Sequence, residues 1–341
     1  MPRKRRPLPH ETMLSMLTMH WVSQMLFCVA KLGVADALAD KPLAPDAIAK
    51  RVGAQAAFLR RVLRALASVG VFSEDARGRF RLTPLAQTLR SDRAGSLRDF
   101  ALMIDDDYNW QSWTALPHAL ETGANAFERT HGMPIFAYLQ QHAEKERAFA
   151  ASMASISGTE NAAVARAYAF GRFARLVDVG GAHGHLLATI LRRHKKLRGV
   201  LFDQPQVVAR AAETGFISAP DVRERCEVAS GSFFEAVPAG ADGYIMKYII
   251  HDWDDEKSMR ILGHCRDAMT PEGRVLVVDH VIPQGNAASW AKLLDVNMLV
   301  GPGGQERTRE EFRALFARVG LRLARVIPTA SPLCILEGVR A

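Results

Sequence analysis

The chain has 341 residues, 48% hydrophobic and 23% charged, which suits a globular protein of about two domains and leaves out disordered and fibrous classes. Its formal net charge of +8 is uneven: residues 1–99 hold 17 Lys and Arg against 8 Asp and Glu, and the remainder is close to neutral. No unbroken apolar run approaches the roughly 18 to 20 residues of a membrane span, and MPRKRRPLP leads into a polar-interrupted helical pattern, so the expected location is the cytosol.

Glu11 to Leu38 places Met13, Leu14, Leu17, Trp21, Val22, Met25, Leu26, Val29 and Leu32 on helical spacing, with a break at Gly33. That apolar surface is wide, and a second subunit is one candidate to cover it. In Leu43 to Leu89, Pro45 opens a short helix that Gly53 ends, and Phe58, Leu59, Val62, Leu63 and Leu66 line a second. Val71–Glu74 and Arg79–Leu82 then form a hairpin about Ala76-Arg77-Gly78, and two helices followed by a β-wing make a winged helix. Arg60, Arg61, Arg64, Arg77, Arg79 and Arg81 lie on its second helix and wing, so a DNA-binding regulator competes with a solvated face on a protein–protein module.

Residues 97–170 read as four helices, Ser96–Ile104, Trp110–Glu121, Ile135–Gln141 and Glu144–Phe170, with breaks at Gly123 and Gly132-Met133-Pro134. Asp105-Asp106-Asp107 is expected to be a solvated turn, because three adjacent carboxylates diverge too much to share a metal ion. Cys28, Cys226, Cys265 and Cys334 stand singly without C-x-x-C spacing and read as reduced core residues. No metal site is expected.

From Leu176 onward strands and helices alternate: strand to Val179, helix to His194, strand Val200–Asp203, helix to Thr214, strands Cys226–Ala229 and Tyr244–Tyr248, helix Asp255–Met269, strand Arg274–Asp279. Leu323–Ile327 and Cys334–Glu337 close the pattern as a pair. The fold class is α/β, a doubly wound Rossmann-like sheet with a C-terminal antiparallel hairpin, behind an N-terminal helical and winged-helix domain. The domains divide at 1–98 and 99–341, the second including a helical segment at 99–170.

The stretch LVDVGGAHG, followed by LLATILRRH, is a strand, a tight glycine turn and a helix. Gly180, Gly181 and Gly184 let a ligand approach the backbone, and the helix offers unpaired N–H groups to an anion. No Gly-Lys-Ser/Thr follows, which excludes a Walker-type loop, and G-x-A-x-G fits the dinucleotide pattern G-x-G-x-x-G poorly. S-adenosylmethionine (SAM) carries no phosphate and needs only donors for its carboxylate and an acid for its ribose. Asp203 ends the next strand 23 residues after Gly180, near the ~20-residue offset of a ribose-binding acid. SAM, a dinucleotide and a plain structural turn compete here, and Asp203 favours a ligand. In such sheets ligands bind beyond the C-terminal strand ends, where Gly180, Asp203, Ser232, Tyr248 and Asp279 would gather.

Past the strand ending at Tyr248 lies Ile249-Ile250-His251-Asp252-Trp253, so His251 faces the same crevice and is placed for general-base work. Asp279 and Glu306 supply carboxylates that could hold its tautomer. VDVGGAHG, LFDQP, MKYIIHDWDDE, VVDHVIP and GGQERTREEF together resemble the caffeic-acid-type small-molecule O-methyltransferases, including the bacterial branch that tailors aromatic natural products. The resemblance spans nearly the whole chain. It implies SAM as cofactor, S-adenosylhomocysteine as product, and an N-terminal winged helix that serves homodimerisation and substrate enclosure rather than nucleic-acid binding; no membrane partner is expected from the apolar runs.

Carried over by position, the resemblance makes His251 the base, flanked by Asp279 and Glu306 with Asp252 beside it, and puts Asp203 on the ribose. Lys247 and Trp253 would lie along SAM and Phe233 on its adenine; Asp178 and Gln204, within the same motifs, join the cofactor site. Ala182 stands where a glycine is usual, Ser232 where an acid is usual, and Asp279 where a longer glutamate is common. Phe149, Met153, Asp295, Asn297 and Met298 are candidates for the acceptor pocket, of a kind that is also ordinary core. A phenol near pKa 10 losing its proton to a histidine near 6.5 is uphill by roughly 5 kcal/mol.

Overall fold

The computed structural model describes residues 7–211 and 215–341, the Thr159 side chain excepted. In chain order its elements begin with α1 (Pro9–Leu17), α2 (Met19–Lys31), α3 (Val34–Ala37), α4 (Pro45–Val52), α5 (Ala56–Ser68), β1 (Phe72–Glu74), β2 (Phe80–Leu82) and α6 (Pro84–Gln87). Next come α7 (Arg98–Ile104), α8 (Asp107–Trp113), α9 (Leu116–Thr122), α10 (Ala126–His131), α11 (Ile135–Gln141) and α12 (Ala143–Ala167). The contacts define two compact units, one of residues up to Trp110 with Leu139–Ser157, the other of Gln111–Tyr138 with Gly158–Ala341.

In the first unit Leu59, Leu63 and Leu66 recur every three or four residues along α5 and are buried with Phe72 and Phe80 of the hairpin. Phe58, expected on that face, is instead 65% exposed. It shares a groove with Met25, Arg61 and Val62. Met13, Leu14, Met16, Leu17, Met19 and Trp21 are also exposed. By length and composition the helical stretch Pro9–Lys31, 23 residues long, reaches the range of a membrane span. A count of unbroken apolar runs missed this because single polar residues interrupt the stretch.

The acidic run is a turn, as expected, but only Asp107 is solvated. Asp105 is buried and accepts the Ser23 hydroxyl, and Lys145 Nζ donates to Asp106 at 2.7 Å and to Asp107 at 2.8 Å. The helix expected over Trp110–Glu121 is two, because Pro117 lacks the N–H that would continue α8 and sits instead in the first turn of α9. An unexpected helix, α10, is capped by Asn125, whose side chain accepts the Glu128 N–H at 2.8 Å.

The second unit continues with β3 (Arg175–Val179), α13 (His185–Arg193), β4 (Arg198–Asp203), α14 (Pro205–Ala211), β5 (Cys226–Ser230), β6 (Gly243–Lys247), α15 (Asp255–Ala268) and β7 (Arg274–Asp279). It ends with β8 (Val281–Ile282), α16 (Trp290–Val300), β9 (Arg307–Thr308), α17 (Arg309–Arg318), β10 (Leu321–Pro328) and β11 (Cys334–Arg340). The expectation of a helix running to Thr214 falls partly on residues 212–214, outside the described residues. Seven strands form one sheet in the order β10-β11-β7-β6-β3-β4-β5. β3 to β7 pair in parallel and β10–β11 closes the edge as an antiparallel hairpin.

Alternate strand residues serve opposite layers, as the pleat requires. Val177, Val179, Met246, Val275 and Val277 meet Ile261 and Leu262 of α15 and Phe312 and Phe316 of α17, while Leu176, Ile245, Leu276 and Val278 lie with Leu187, Ile190 and Leu191 of α13. This is the doubly wound architecture expected. Of the cysteines only Cys265 is buried; Cys28 is exposed and Cys226 and Cys334 are half-buried, all four as free thiols. The chain leaves β3 toward β4 and β5, then returns to β6 and β7, so the switch point lies between β3 and β6.

Candidate active site

The two loops at the switch point are Gly180–Gly184 after β3 and Tyr248–Trp253 after β6. Gly180 has φ +68° and a Cβ there would lie 2.4 Å from Ile249 Cδ1, so glycine lets the first loop close on the second. The N–H groups of Gly180 and Gly181 both go to Phe202 O, and that of Ala182 to Asp203 Oδ2 at 2.8 Å. The N–H groups of His185 and Leu186, in the first turn of α13, have no partner among the described residues. Ala182 itself sits at φ +49°, a conformation costing an L-residue roughly 1–2 kcal/mol.

Asp203 also accepts the Gln204 N–H at 2.7 Å; burial raises its pKa, and the two amides oppose that. Asp178 is buried with Oδ2 unpartnered, and loss of solvent pushes its pKa up to about 7. Ser232, in place of the usual acid, accepts the Phe234 N–H. Phe233 lies edge-on to Phe234 and Trp253, with ring centroids 4.8 and 6.2 Å away. Lys247 Nζ donates to Asn161 Oδ1 at 2.7 Å and lies 3.7 Å from Glu160, and burial draws its pKa down to about 8 despite that carboxylate.

His251 is buried in a single turn of 3-10 helix, Ile250–Asp252. Its Nδ1 is 2.7 Å from Glu306 Oε1 and its Nε2 is 3.5 Å from Asp252 Oδ1. The Tyr248 ring stacks on the imidazole at 5.1 Å. Burial alone would depress the histidine, but Asp252, the Glu306 hydrogen bond and the nearby Asp279 outweigh it and push the pKa up to about 10. Burial raises Asp252 to about 6 despite the imidazole.

Asp279, the shorter acid, is not hydrogen-bonded to the histidine. Its Oδ1 accepts the Tyr248 N–H at 3.0 Å, its Oδ2 is buried without a partner, and desolvation raises its pKa. Asp295 accepts the Glu306 N–H at 2.9 Å and so orients the backbone of that acid; Asn297 is half-buried and Met298 buried on the same helix, α16. Phe149 and Met153 are half-buried on α12, in the first unit. A residue the sequence reading passed over is Arg307, fully buried behind the His251 turn. Its signal was the ERT triplet, in which it directly follows Glu306.

A doubly wound sheet whose switch point offers free helix N–H groups and a strand-end acid, without a phosphate loop, fits SAM: the α13 N-terminus, Asp178 and Asp203 are of the kinds that would hold a carboxylate, an ammonium and a ribose diol. The class defined is that of SAM-dependent methyltransferases. The chain matches the model of the O-methyltransferase domain over residues 113–322 and that of the O-methyltransferase dimerisation domain over 14–92, and it belongs to that family.

It is 43% identical to the phenazine O-methyltransferase of Lysobacter antibioticus, over 95% of this chain and 94% of that one. It is 33% identical to the 8-amino-8-demethylriboflavin N,N-dimethyltransferase of Streptomyces davaonensis, over 93% and 91%. The SAH-bound crystal structure of a methyltransferase in calicheamicin biosynthesis superposes with a TM-score of 0.88 at 40% identity, covering 98% of this chain and all of that one. The protein is thus a methyltransferase with SAM as its cofactor.

Proposed function

We propose that the protein methylates a hydroxyl of a small, flat aromatic acceptor of phenol, polyketide or phenazine type, with His251 as general base. The observation that carries this reading is the buried pair of His251 and Glu306 at 2.7 Å. SAM, when bound, supplies an electrophilic methyl group and leaves as S-adenosylhomocysteine. With Nδ1–H donated to Glu306, Nε2 is the nitrogen left to take the acceptor proton, and Asp252 stabilises the imidazolium that results.

The raised pKa changes the energetics from those of an ordinary histidine. A more basic imidazole takes a phenol proton at less cost, and part of the barrier moves instead to the supply of neutral imidazole near neutral pH. Asp178, Gly180, Gly181, Gly184, Asp203, Gln204, Ser232, Phe233, Lys247 and Trp253 form the proposed cofactor site. Asn297 and Met298 are proposed to face the acceptor, with Asp295 acting through Glu306.

The relative named as an N,N-dimethyltransferase supports a second reading, transfer to an aromatic nitrogen, which needs no base. Incubation with labelled SAM and paired hydroxy- and amino-aromatics, followed by mass spectrometry, separates the two. Hydroxylated acceptors are expected to gain the methyl group; methylation confined to amino analogues would overturn the O-transfer reading.

Residues 1–98 are proposed to form the dimerisation domain and 99–341 the catalytic domain of a cytoplasmic homodimer. The exposed apolar side chains of Met13 to Trp21 support this, as does the dimerisation-domain match. The wing arginines are read as surface charge, Arg79 being bound to Asp75 at 2.8 Å. Light scattering is expected to give twice the chain mass, and a monomer at micromolar concentration would contradict it.

A further inference from the structure

A guanidinium taken out of water has five N–H donors to satisfy, and Arg307, 1% exposed, satisfies them within one small volume. Nε and Nη2 donate to Asp255 Oδ1 at 3.1 and 2.8 Å. Nη1 donates to Ile250 O at 3.1 Å and Gln305 O at 3.3 Å, and Nη2 to Trp253 O at 3.0 Å and Ser258 Oγ at 3.3 Å. The carbonyls of Ile250 and Trp253 are the two ends of the turn that carries His251 and Asp252.

The three preceding residues grip the same turn. A Cβ on Gly304 would lie 2.0 Å from His251 O, so only glycine allows this approach. Gln305 N–H donates to His251 O at 2.9 Å, and Glu306 takes the ring. Four consecutive residues thus hold the turn from its backbone to its imidazole. The far end of the clamp, Asp255, is the first residue of α15, so the turn is tied to a regular helix.

We propose that Arg307 is a positioning residue for the catalytic base: by fixing both ends of the turn it sets the contact between His251 and Glu306. The inference rests on His251 acting as base. A lysine cannot replace it, since a single ammonium does not span two carbonyls and a carboxylate in fixed directions.

The test is a double-mutant cycle of Arg307→Met with His251→Ala, read as kcat at saturating substrates and as the pH profile of kcat/KM. Arg307→Met is expected to lower kcat at least tenfold, within the ~10²-fold that a misplaced group costs. It should also lower the apparent pKa of kcat/KM, because the imidazole loses its hydrogen bond to Glu306, one of the contacts that raise it, and Arg307→Lys should recover little. In the His251→Ala background the same change should bring no further loss.

Equal losses in both backgrounds, with an unmoved pKa, would mean that Arg307 only stabilises the fold and would overturn the inference. Should Arg307→Met not fold, Asp255→Asn loosens the same clamp from its half-exposed end and is expected to shift kcat and pKa in the same directions. Wild-type values for both in that variant would equally overturn the proposal. A His251→Ala enzyme as fast as wild type is a separate failure, removing the base itself.

Discussion

His251→Ala is expected to lower kcat at neutral pH by roughly 10² to 10⁴, the span of general-base catalysis, while leaving SAM affinity nearly intact. The size follows from what Nε2 does: without it the acceptor proton has no buried recipient, and the phenolate must form in solution. Raising the pH should therefore rescue the variant in part. In the wild type, kcat/KM should rise through neutral pH toward about 10, the value set for the free enzyme by Asp252, Glu306 and Asp279 against burial. The sign is that of a base whose working form is neutral, so activity is lost as pH falls. A bound cationic donor favours the neutral ring, so the apparent pKa of kcat should lie below that of kcat/KM. An acceptor methylated on nitrogen would show little loss in the variant and no rescue.

Asp203→Ala should weaken SAM at least tenfold, and toward about 10²-fold, when measured by calorimetry. Two effects add. The carboxylate is the proposed acceptor of the ribose diol, and charge-assisted hydrogen bonds contribute about 1.5–3 kcal/mol each when buried. The same carboxylate holds the Ala182 N–H, and with it a loop residue at φ +49° that has reason to relax. Asp203→Asn keeps one acceptor oxygen and should fall between. Wild-type affinity in Asp203→Ala would remove this residue from the cofactor site.

What the sequence made legible was local or periodic. Gly180 and Asp203 lie one helix and one strand apart, a spacing the parallel sheet dictates, and His251 follows a strand whose end must face the crevice. The α5 leucines and the wing were equally visible, because burial repeats with the period of the element. Pro117 and the cap at Asn125 were present as signals, yet a run of helical propensity masked the first and a short element hid the second.

Pairings between distant segments were not legible. Nothing near Lys247 points to Asn161, 86 positions earlier. Nothing around Asp279 says that its shorter side chain meets the Tyr248 N–H in place of the imidazole. The basicity of His251 was missed for the same reason, since two of the three carboxylates that raise it, Asp279 and Glu306, reach it from distant segments only after folding.

The central claim is that His251 takes the acceptor proton. The most direct measurement is the pH profile of kcat for wild type and His251→Ala on one hydroxylated aromatic acceptor. The wild type should be faster by at least 10² near pH 7, with the gap narrowing as the pH approaches the acceptor's own pKa. Equal rates near neutral pH, or a gap that stays constant across the range, would contradict it.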